Sequence, residues 1–180
     1  MNGIIQINPY NQQSLEDAGN GLKDSSGNFF PLIIGAYRFT PQENYTQNFG
    51  FQWNKFAATQ IDKSSQIQLS YNRFFAQTSW HKEDLTGKNM LELGSGAGRF
   101  TQIVLDHTKA NLYSVDYSNA VEANYKNNGP NDRLKLYQAS VYELPFAPGQ
   151  FDKVFCFGVL QHTPDVERSV KHLVEMTKPG

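Results

Sequence analysis

Three glycines alternate with other residues in a short segment that follows an apolar run. They are Gly94, Gly96 and Gly98, and the run before them ends with an acid, Glu92. Glycine allows a tight turn and lets the backbone approach a ligand with no Cβ in the way. A helical pattern begins directly after the glycines, and the free N–H groups at the start of a helix suit a carboxylate. The segment therefore predicts a ligand-binding loop.

A second acid, Asp116, ends the next apolar run, twenty residues after Gly96. A strand, a glycine turn, a helix and an acid at the next strand end make a crevice that binds a nucleoside, with the acid on the ribose hydroxyls. NAD-type folds use such an acid too, so Asp116 alone does not identify the nucleoside. The glycine spacing is G-x-G-x-G and Arg99 follows Gly98, so the dinucleotide pattern G-x-G-x-x-G is not met.

The elements that position these residues follow from hydrophobic periodicity. Strand and helix patterns alternate from residue 89 onward, which predicts an α/β fold with a Rossmann-like parallel sheet and helices on both faces. The predicted strands are 89–93, 111–116, 134–139 and 153–160.

The fourth predicted strand is apolar on both faces over much of its length, as a central strand of a parallel sheet is. With only four strands predicted, its outer edge is unpaired, and a long apolar edge favours self-association. The chain ends at Lys178-Pro179-Gly180, directly after a helix. We therefore expect an incomplete sheet, either truncated at this point or completed by another chain through the edge of strand four.

The part of the chain before the core divides into two segments. Residues 1–43 are rich in polar residues and glycine, and they predict an N-terminal arm that is partly extended or forms a small β structure. Aromatic residues recur at helical spacing from 44 to 60, and a second helical pattern covers 65–78. We expect helices of residues 44–84 to pack on a core domain of residues 85–180.

Bulk properties narrow the classes of partner. The formal net charge of -1 provides no basic surface for a polyanion, so nucleic acid is not expected as a partner. The single cysteine, Cys156, lies in an apolar run, which predicts a buried inert thiol and no cysteine zinc site. No apolar stretch approaches the roughly 20 residues of a membrane helix. We expect a cytoplasmic protein with no bound metal and no membrane contact.

A later segment, Tyr137–Asp165, contains an L-P-F sequence, an F-D pair before strand four and V-L-Q-H after it. Together with the glycine segment, it closely resembles class I S-adenosylmethionine (SAM) methyltransferases, in the type 11 group that includes enzymes of ubiquinone and menaquinone biosynthesis. The resemblance runs from about residue 85 to 180 and is weaker over 29–62. It implies SAM as the cofactor and a small molecule as the methyl acceptor. Some relatives have an N-terminal cysteine zinc module, but its cysteines are absent here.

The resemblance assigns residues to each part of SAM. The residues assigned to the methionyl part are Glu92, Gly94, Ser95, Gly96 and Gly98. Asp116 is assigned to the ribose and Tyr117 to the adenine face. Ser140 stands where many relatives have an Asp that accepts from the adenine amino group, and the N–H of Val141 would donate to the ring. The residues assigned to the neighbourhood of the sulfonium are Phe157 and Gly158, with Leu160 behind them.

The methyl group moves by displacement from a sulfonium, so positioning dominates and a base is needed only if the acceptor loses a proton. His162 lies just past strand four on the ligand side, and it is either that base or a loop histidine that caps backbone. Trp53 and Tyr71 either close over the cofactor or pack on the core, and we favour packing.

The sequence thus predicts a SAM-dependent methyltransferase with an unidentified acceptor. The alternative is a non-catalytic subunit that binds SAM or a nucleoside, because the walls of a substrate site often come from the second half of the sheet. An NAD(P)-dependent oxidoreductase is disfavoured by the glycine spacing and the V-L-Q-H segment.

Overall fold

The computed structural model describes residues 3–40 and 69–180. Strands β1 to β8 are Glu16–Asp17, Gly21–Lys23, Phe29–Ile33, Ala36–Arg38, Asn89–Leu93, Asn111–Asp116, Leu134–Gln138 and Lys153–Cys156. Helices α1 to α4 are Leu69–Thr78, Arg99–His107, Ala120–Asn128 and Val166–Met176, with 3₁₀ turns at Lys82–Leu85 and Leu160–His162. Within the described residues, the strands form a single sheet in the order β1-β2-β3-β4-β7-β6-β5-β8.

The parallel half of the sheet matches the predicted Rossmann-like fold. Strand β5 pairs with β6 and β8, and β6 pairs with β7, all in parallel. Successive residues of β5 face opposite sides, so Met90 packs with α1 and α2, while Leu91 packs in the cluster that includes Leu173 and Met176 of α4. Helices therefore cover both faces, as expected from the alternating pattern.

The sheet is larger than the four strands predicted. Strands β1 to β4 form an antiparallel meander, and β4 joins the sheet by pairing in parallel with β7. These strands are two to five residues long, and Arg38 of β4 contacts a residue 100 positions away in the chain. Local periodicity cannot reveal so distant a pairing. The arm, residues 3–40, is therefore part of the sheet.

The fourth predicted strand, 153–160, corresponds to β8, and β8 ends earlier than predicted. Strand β8 stops at Cys156, because Gly158 has a φ of 72° and the chain then turns through Leu160–His162. Of the apolar residues after Cys156, Val159 and Leu160 leave the sheet and lie at its carboxyl edge. On its outer side, Phe151 just before β8 forms an isolated parallel bridge with Thr177.

Helix α1 covers the second predicted helical pattern from Leu69 onward. Phe74 is fully buried. The Tyr71 ring lies 4.6 Å from the ring of His107 at the end of α2, so Tyr71 packs on the core. The predicted helix over 44–60, which includes Trp53, lies outside the described residues. The domain boundaries at 43 and 84 stay predictions.

Candidate functional site

A cleft lies at the carboxyl ends of the parallel strands, where open α/β sheets bind their ligands. Its cavity of about 220 Å³ is more than tenfold the space that one water needs. The lining residues are Leu93, Gly94, Gly96, Val115–Ser118, Ala139–Tyr142, Cys156, Gly158–Leu160 and His162–Pro164. They come from four strand ends, and most of the surface that they present is apolar.

Asp116 is held in place by both loops at the base of the cleft. Its Oδ2 accepts a hydrogen bond from the backbone N–H of Gly96 at 2.8 Å. Its Oδ1 accepts from the N–H and the hydroxyl of Ser118, at 2.8 and 2.7 Å. A carboxylate has about four acceptor positions, and these bonds occupy three of them. Asp116 is therefore oriented by its neighbours and keeps about one position, on Oδ2, for a donor in the cleft.

The glycine loop has the tight turn that its sequence predicts. Gly94 and Gly98 have φ values of 75° and 87°, a region that side chains other than glycine rarely adopt. A Cβ at Gly94 would overlap the Val159 side chain, and one at Gly98 would overlap Asn124. Gly98 is also the N-cap of α2. The loop therefore brings the bare backbone of Gly94 and Gly96 to the cleft.

Glu92 is not among the residues that line the cleft. It is 2% exposed, and its carboxylate accepts hydrogen bonds from the hydroxyls of Thr101 and Ser114, on the α2 side of the sheet. Burial raises its pKa to about 7, because desolvation outweighs the two hydroxyl bonds and Asp116 adds repulsion. Its assigned contact with the methionyl group stays a prediction.

Three other residues assigned from the resemblance are also absent from the cleft lining. Ser95 is buried in the glycine loop, and its Oγ has no hydrogen-bond partner within the described residues. Gly98 lies behind the loop at the start of α2. Phe157 packs 4.6 Å from the ring of Phe100 and 5.9 Å from that of Phe74, on the helix side. Gly158, the next residue, does line the cleft.

The residues assigned to the adenine side meet in the cleft. Tyr117, Ser140 and Val141 all line it. The Ser140 Oγ accepts from the N–H of Tyr142 at 3.1 Å, and the Val141 carbonyl lies 3.1 Å from Nδ1 of His172. These residues therefore line the same cleft as Asp116, and their assignment to adenine stays a prediction.

His162 also lines the cleft, at the end of the 3₁₀ turn after β8. Its side chain is exposed, and its Nε2 lies 3.4 Å from Nε2 of Gln161. Its backbone N–H donates to the Val159 carbonyl at 2.8 Å. The imidazole is thus accessible from the mouth of the cleft.

Sequence reasoning missed Tyr142 and Ser118 as site residues. The Tyr142 hydroxyl donates to the Asp165 carbonyl and accepts from the Asp165 N–H, both at 2.9 Å, which ties the adenine-side loop to the start of α4. No local pattern indicates that contact. Ser118 had an available clue, because the side chain of an Asp often accepts from the backbone N–H two residues on, which forms an Asx turn.

Cys156 lines the cleft as well, although the sequence predicted only a buried thiol. Burial raises its pKa to about 12, and the charges of Glu92 and Asp116 act in the same direction. The thiol is therefore protonated at neutral pH, which makes it a poor nucleophile.

The family of this chain is shown by its sequence match. Residues 91–180, half of the chain, match the family model described as a methyltransferase domain. The chain therefore belongs to this methyltransferase family within the class I SAM-dependent superfamily, and its cofactor is SAM. The matched segment contains the cleft-lining residues described above.

Curated relatives extend the comparison. An uncharacterized protein of Synechococcus is 24% identical over 167 residues, covering 88% of this chain and 36% of the relative. Ubiquinone biosynthesis O-methyltransferase of Coxiella burnetii is 32% identical over 98 residues, covering 53% of this chain and 42% of the relative. The chain thus spans less than half of the length of these relatives.

Solved structures show the same fold. A candidate SAM-dependent methyltransferase of Methanococcus maripaludis superimposes with a TM-score of 0.60 at 16% identity, covering 79% of this chain and 64% of the other. Phosphoethanolamine N-methyltransferase 2 of Haemonchus contortus, in complex with S-adenosylhomocysteine, gives a TM-score of 0.50 at 21% identity, covering 69% of this chain and 34% of the other.

The comparisons also bear on the expected partners. A tRNA U34 carboxymethyltransferase of Campylobacter curvus is 26% identical over 99 residues, so the expected exclusion of nucleic acid is not supported. None of the helices in residues 3–40 and 69–180 combines the length and the apolar character needed to cross a bilayer.

Proposed function

We propose that this chain binds SAM in the cleft and transfers its methyl group to a small-molecule acceptor. The observation that carries the proposal is the hydrogen bond between Gly96 and Asp116. It puts the bare backbone of the glycine loop and the carboxylate assigned to the ribose on one wall of a single cleft.

The described residues fit the cofactor part by part. Asp116 keeps an acceptor position on Oδ2 for a ribose hydroxyl. Tyr117 and the apolar side chain of Val141 offer a slot for a flat base. The glycine loop holds the methionyl end, with Glu92 and Ser95 acting from behind it.

SAM supplies a methyl group on a positively charged sulfur. The protein then has to hold SAM and the acceptor in line. The contacts to the adenine base and to the ribose fix the position of SAM. Of the two residues assigned to the sulfonium, Phe157 and Gly158, Gly158 lines the cleft, and a glycine there leaves room for an acceptor to approach. His162 takes the proton if the acceptor has one to lose.

The first test is calorimetry with SAM, S-adenosylhomocysteine (SAH) and NADH. We expect binding of SAM and SAH and none of NADH, and binding of NADH alone would refute the proposal. Incubation with methyl-labelled SAM and a panel of oxygen, nitrogen and carbon acceptors, with tRNA included, then identifies the acceptor class.

The role of His162 is tested by His162→Gln. If it is the base, turnover falls by about 10²-fold or more, whereas the dissociation constant for SAH is unchanged. His81→Gln is the matched control, because His81 is also exposed but lies before Lys82–Leu85 and not in the cleft. Equal turnover in both variants would mean that His162 has only a structural role in its loop.

Self-association through the outer edge of β8 is a separate proposal, which light scattering tests.

A further inference from the structure

We propose that Arg38 of the arm positions the adenosine-binding loop through Gln138, so that the arm sets the affinity for the cofactor. The inference rests on the proposed function and adds two positioning residues that touch no cofactor themselves. The loop in question is Asp116–Asn119, which contains the ribose-binding acid and Tyr117.

The three strands involved place these residues in one row of the sheet. Arg38 of β4 is paired with Gln138 of β7, and Gln138 is paired with Asp116 of β6. All three stand at the carboxyl ends of parallel strands, which is the edge that bears the cleft. The backbone N–H of Phe39 also donates to the Gln138 carbonyl at 2.8 Å, so the register is fixed at this point.

The side chain of Gln138 connects the arm to the loop. Arg38 Nη1 donates to Gln138 Oε1 at 2.8 Å. The Gln138 Nε2 donates in turn to the Tyr117 carbonyl at 3.2 Å and to Asn119 Oδ1 at 3.0 Å. Gln138 is 2% exposed, so water has little access to these groups.

Arg38 decides which way the Gln138 amide faces. A guanidinium can only donate hydrogen bonds, so the amide oxygen has to point towards Arg38. The amide nitrogen then has to point towards the loop, where two acceptors meet it. Without Arg38 the amide oxygen loses its donor and only the two loop acceptors hold the amide. A rotated amide would set its oxygen against the Tyr117 carbonyl.

Arg38 itself is rigidly held. Its Nη2 donates to Glu122 Oε1 and to the Ile33 carbonyl, both at 2.9 Å, and its side chain is 8% exposed. The arm is held against α3 nearby, since Ala36 is fully buried in a cluster with Val121 and Leu136. The link from the arm to the loop therefore consists of fixed groups.

The deciding variant is Gln138→Glu. A carboxylate still accepts from Arg38, but it cannot donate to the Tyr117 carbonyl. We expect the dissociation constant for SAH to rise by about fivefold or more, with a thermal unfolding midpoint close to that of the wild type. Glu122→Gln is the control, because its amide oxygen still accepts from Arg38 and we expect SAH affinity to be unchanged.

A double-mutant cycle provides the second measurement and does not depend on a buried carboxylate. Arg38→Met and Gln138→Met are each expected to weaken SAH binding by about fivefold, and the double variant to be no weaker than Gln138→Met alone. That non-additivity is the sign that Arg38 acts through Gln138.

Three outcomes would overturn the inference. One is wild-type affinity in Gln138→Glu, and the second is a double variant in which the two losses of affinity multiply. The third is a wild-type protein that binds neither SAM nor SAH, which would refute the proposed function together with this inference. The first two leave the proposed function standing, so the two failures can be told apart.

Discussion

Gly96 and Asp116 are separated by 20 residues of chain, and the backbone N–H of Gly96 donates to Oδ2 of Asp116 at 2.8 Å. The bond crosses from the end of β5 to the end of β6 and closes the base of the cleft. It makes the acid part of the glycine loop's own structure. Substitution of Asp116 therefore affects both the ribose contact and the loop.

Asp116→Ala is expected to weaken SAH binding more than about tenfold, because it removes the acceptor of a ribose hydroxyl and of the Gly96 N–H. The SAH affinity of Asp116→Asn, which keeps one acceptor oxygen, should lie between those of Asp116→Ala and the wild type. Calorimetry measures both. Asp132→Ala is the control, since Asp132 is exposed in the turn before β7. Unchanged affinity in Asp116→Ala would mean that the ribose lies elsewhere.

Gly94→Ala is expected to be worse than Gly87→Ala, although the two glycines have similar φ values of 75° and 70°. Both substitutions introduce left-handed strain of about 1–2 kcal/mol. At Gly94 the new Cβ also overlaps Val159, whereas nothing lies within 4 Å at Gly87. Thermal unfolding and SAH titration should show an extra loss for Gly94→Ala alone. Equal losses would contradict the close contact with Val159.

Glu92 should make stability depend on pH in the direction opposite to that of an ordinary surface acid. Burial raises its pKa from 4.5 to about 7, so the native state binds the proton more tightly than the unfolded state does. The stabilisation is complete below about pH 4.5 and is lost as the pH rises through 7. Its full size is about 3 kcal/mol.

Urea unfolding at pH 4 and pH 8 tests this prediction. The difference in unfolding free energy between the wild type and Glu92→Gln should shift by about 3 kcal/mol between the two pH values, in the direction of wild-type loss at high pH. Glu83→Gln provides the exposed control. A pH-independent difference would show that folding does not raise the pKa of Glu92.

Tyr142→Phe should loosen the outer wall of the cleft. Its hydroxyl donates to the Asp165 carbonyl and accepts from the Asp165 N–H, and it also accepts from the Ser169 hydroxyl at 3.1 Å. We expect a loss of about 1 kcal/mol in unfolding free energy and faster amide exchange at Asp165. Tyr125→Phe is the matched control, because the Tyr125 hydroxyl has no hydrogen bond within the described residues. Wild-type exchange in Tyr142→Phe would show that the hydroxyl does not hold this wall.

The sequence alone determined the features that depend on neighbouring residues. Strands β5 and β6 begin and end where the apolar runs predict, since both are buried and bounded by polar residues. The turn at the glycine loop follows from residue type, because only glycine adopts its φ values without strain. The cofactor class is what the resemblance of these glycines and of the Tyr137–Asp165 segment to class I SAM methyltransferases implied.

The tertiary structure decided which side of the sheet each group faces and which distant segments meet. Glu92 and Phe157 face the side of the sheet that α1 and α2 cover, away from the cleft. The reason is that successive residues of an extended chain point to opposite faces of the sheet. Arg38 reaches Gln138 only because β4 pairs with β7. The meander strands are too short for periodicity to assign, and the energy that fixes them comes from long-range pairing and burial, which no local pattern records.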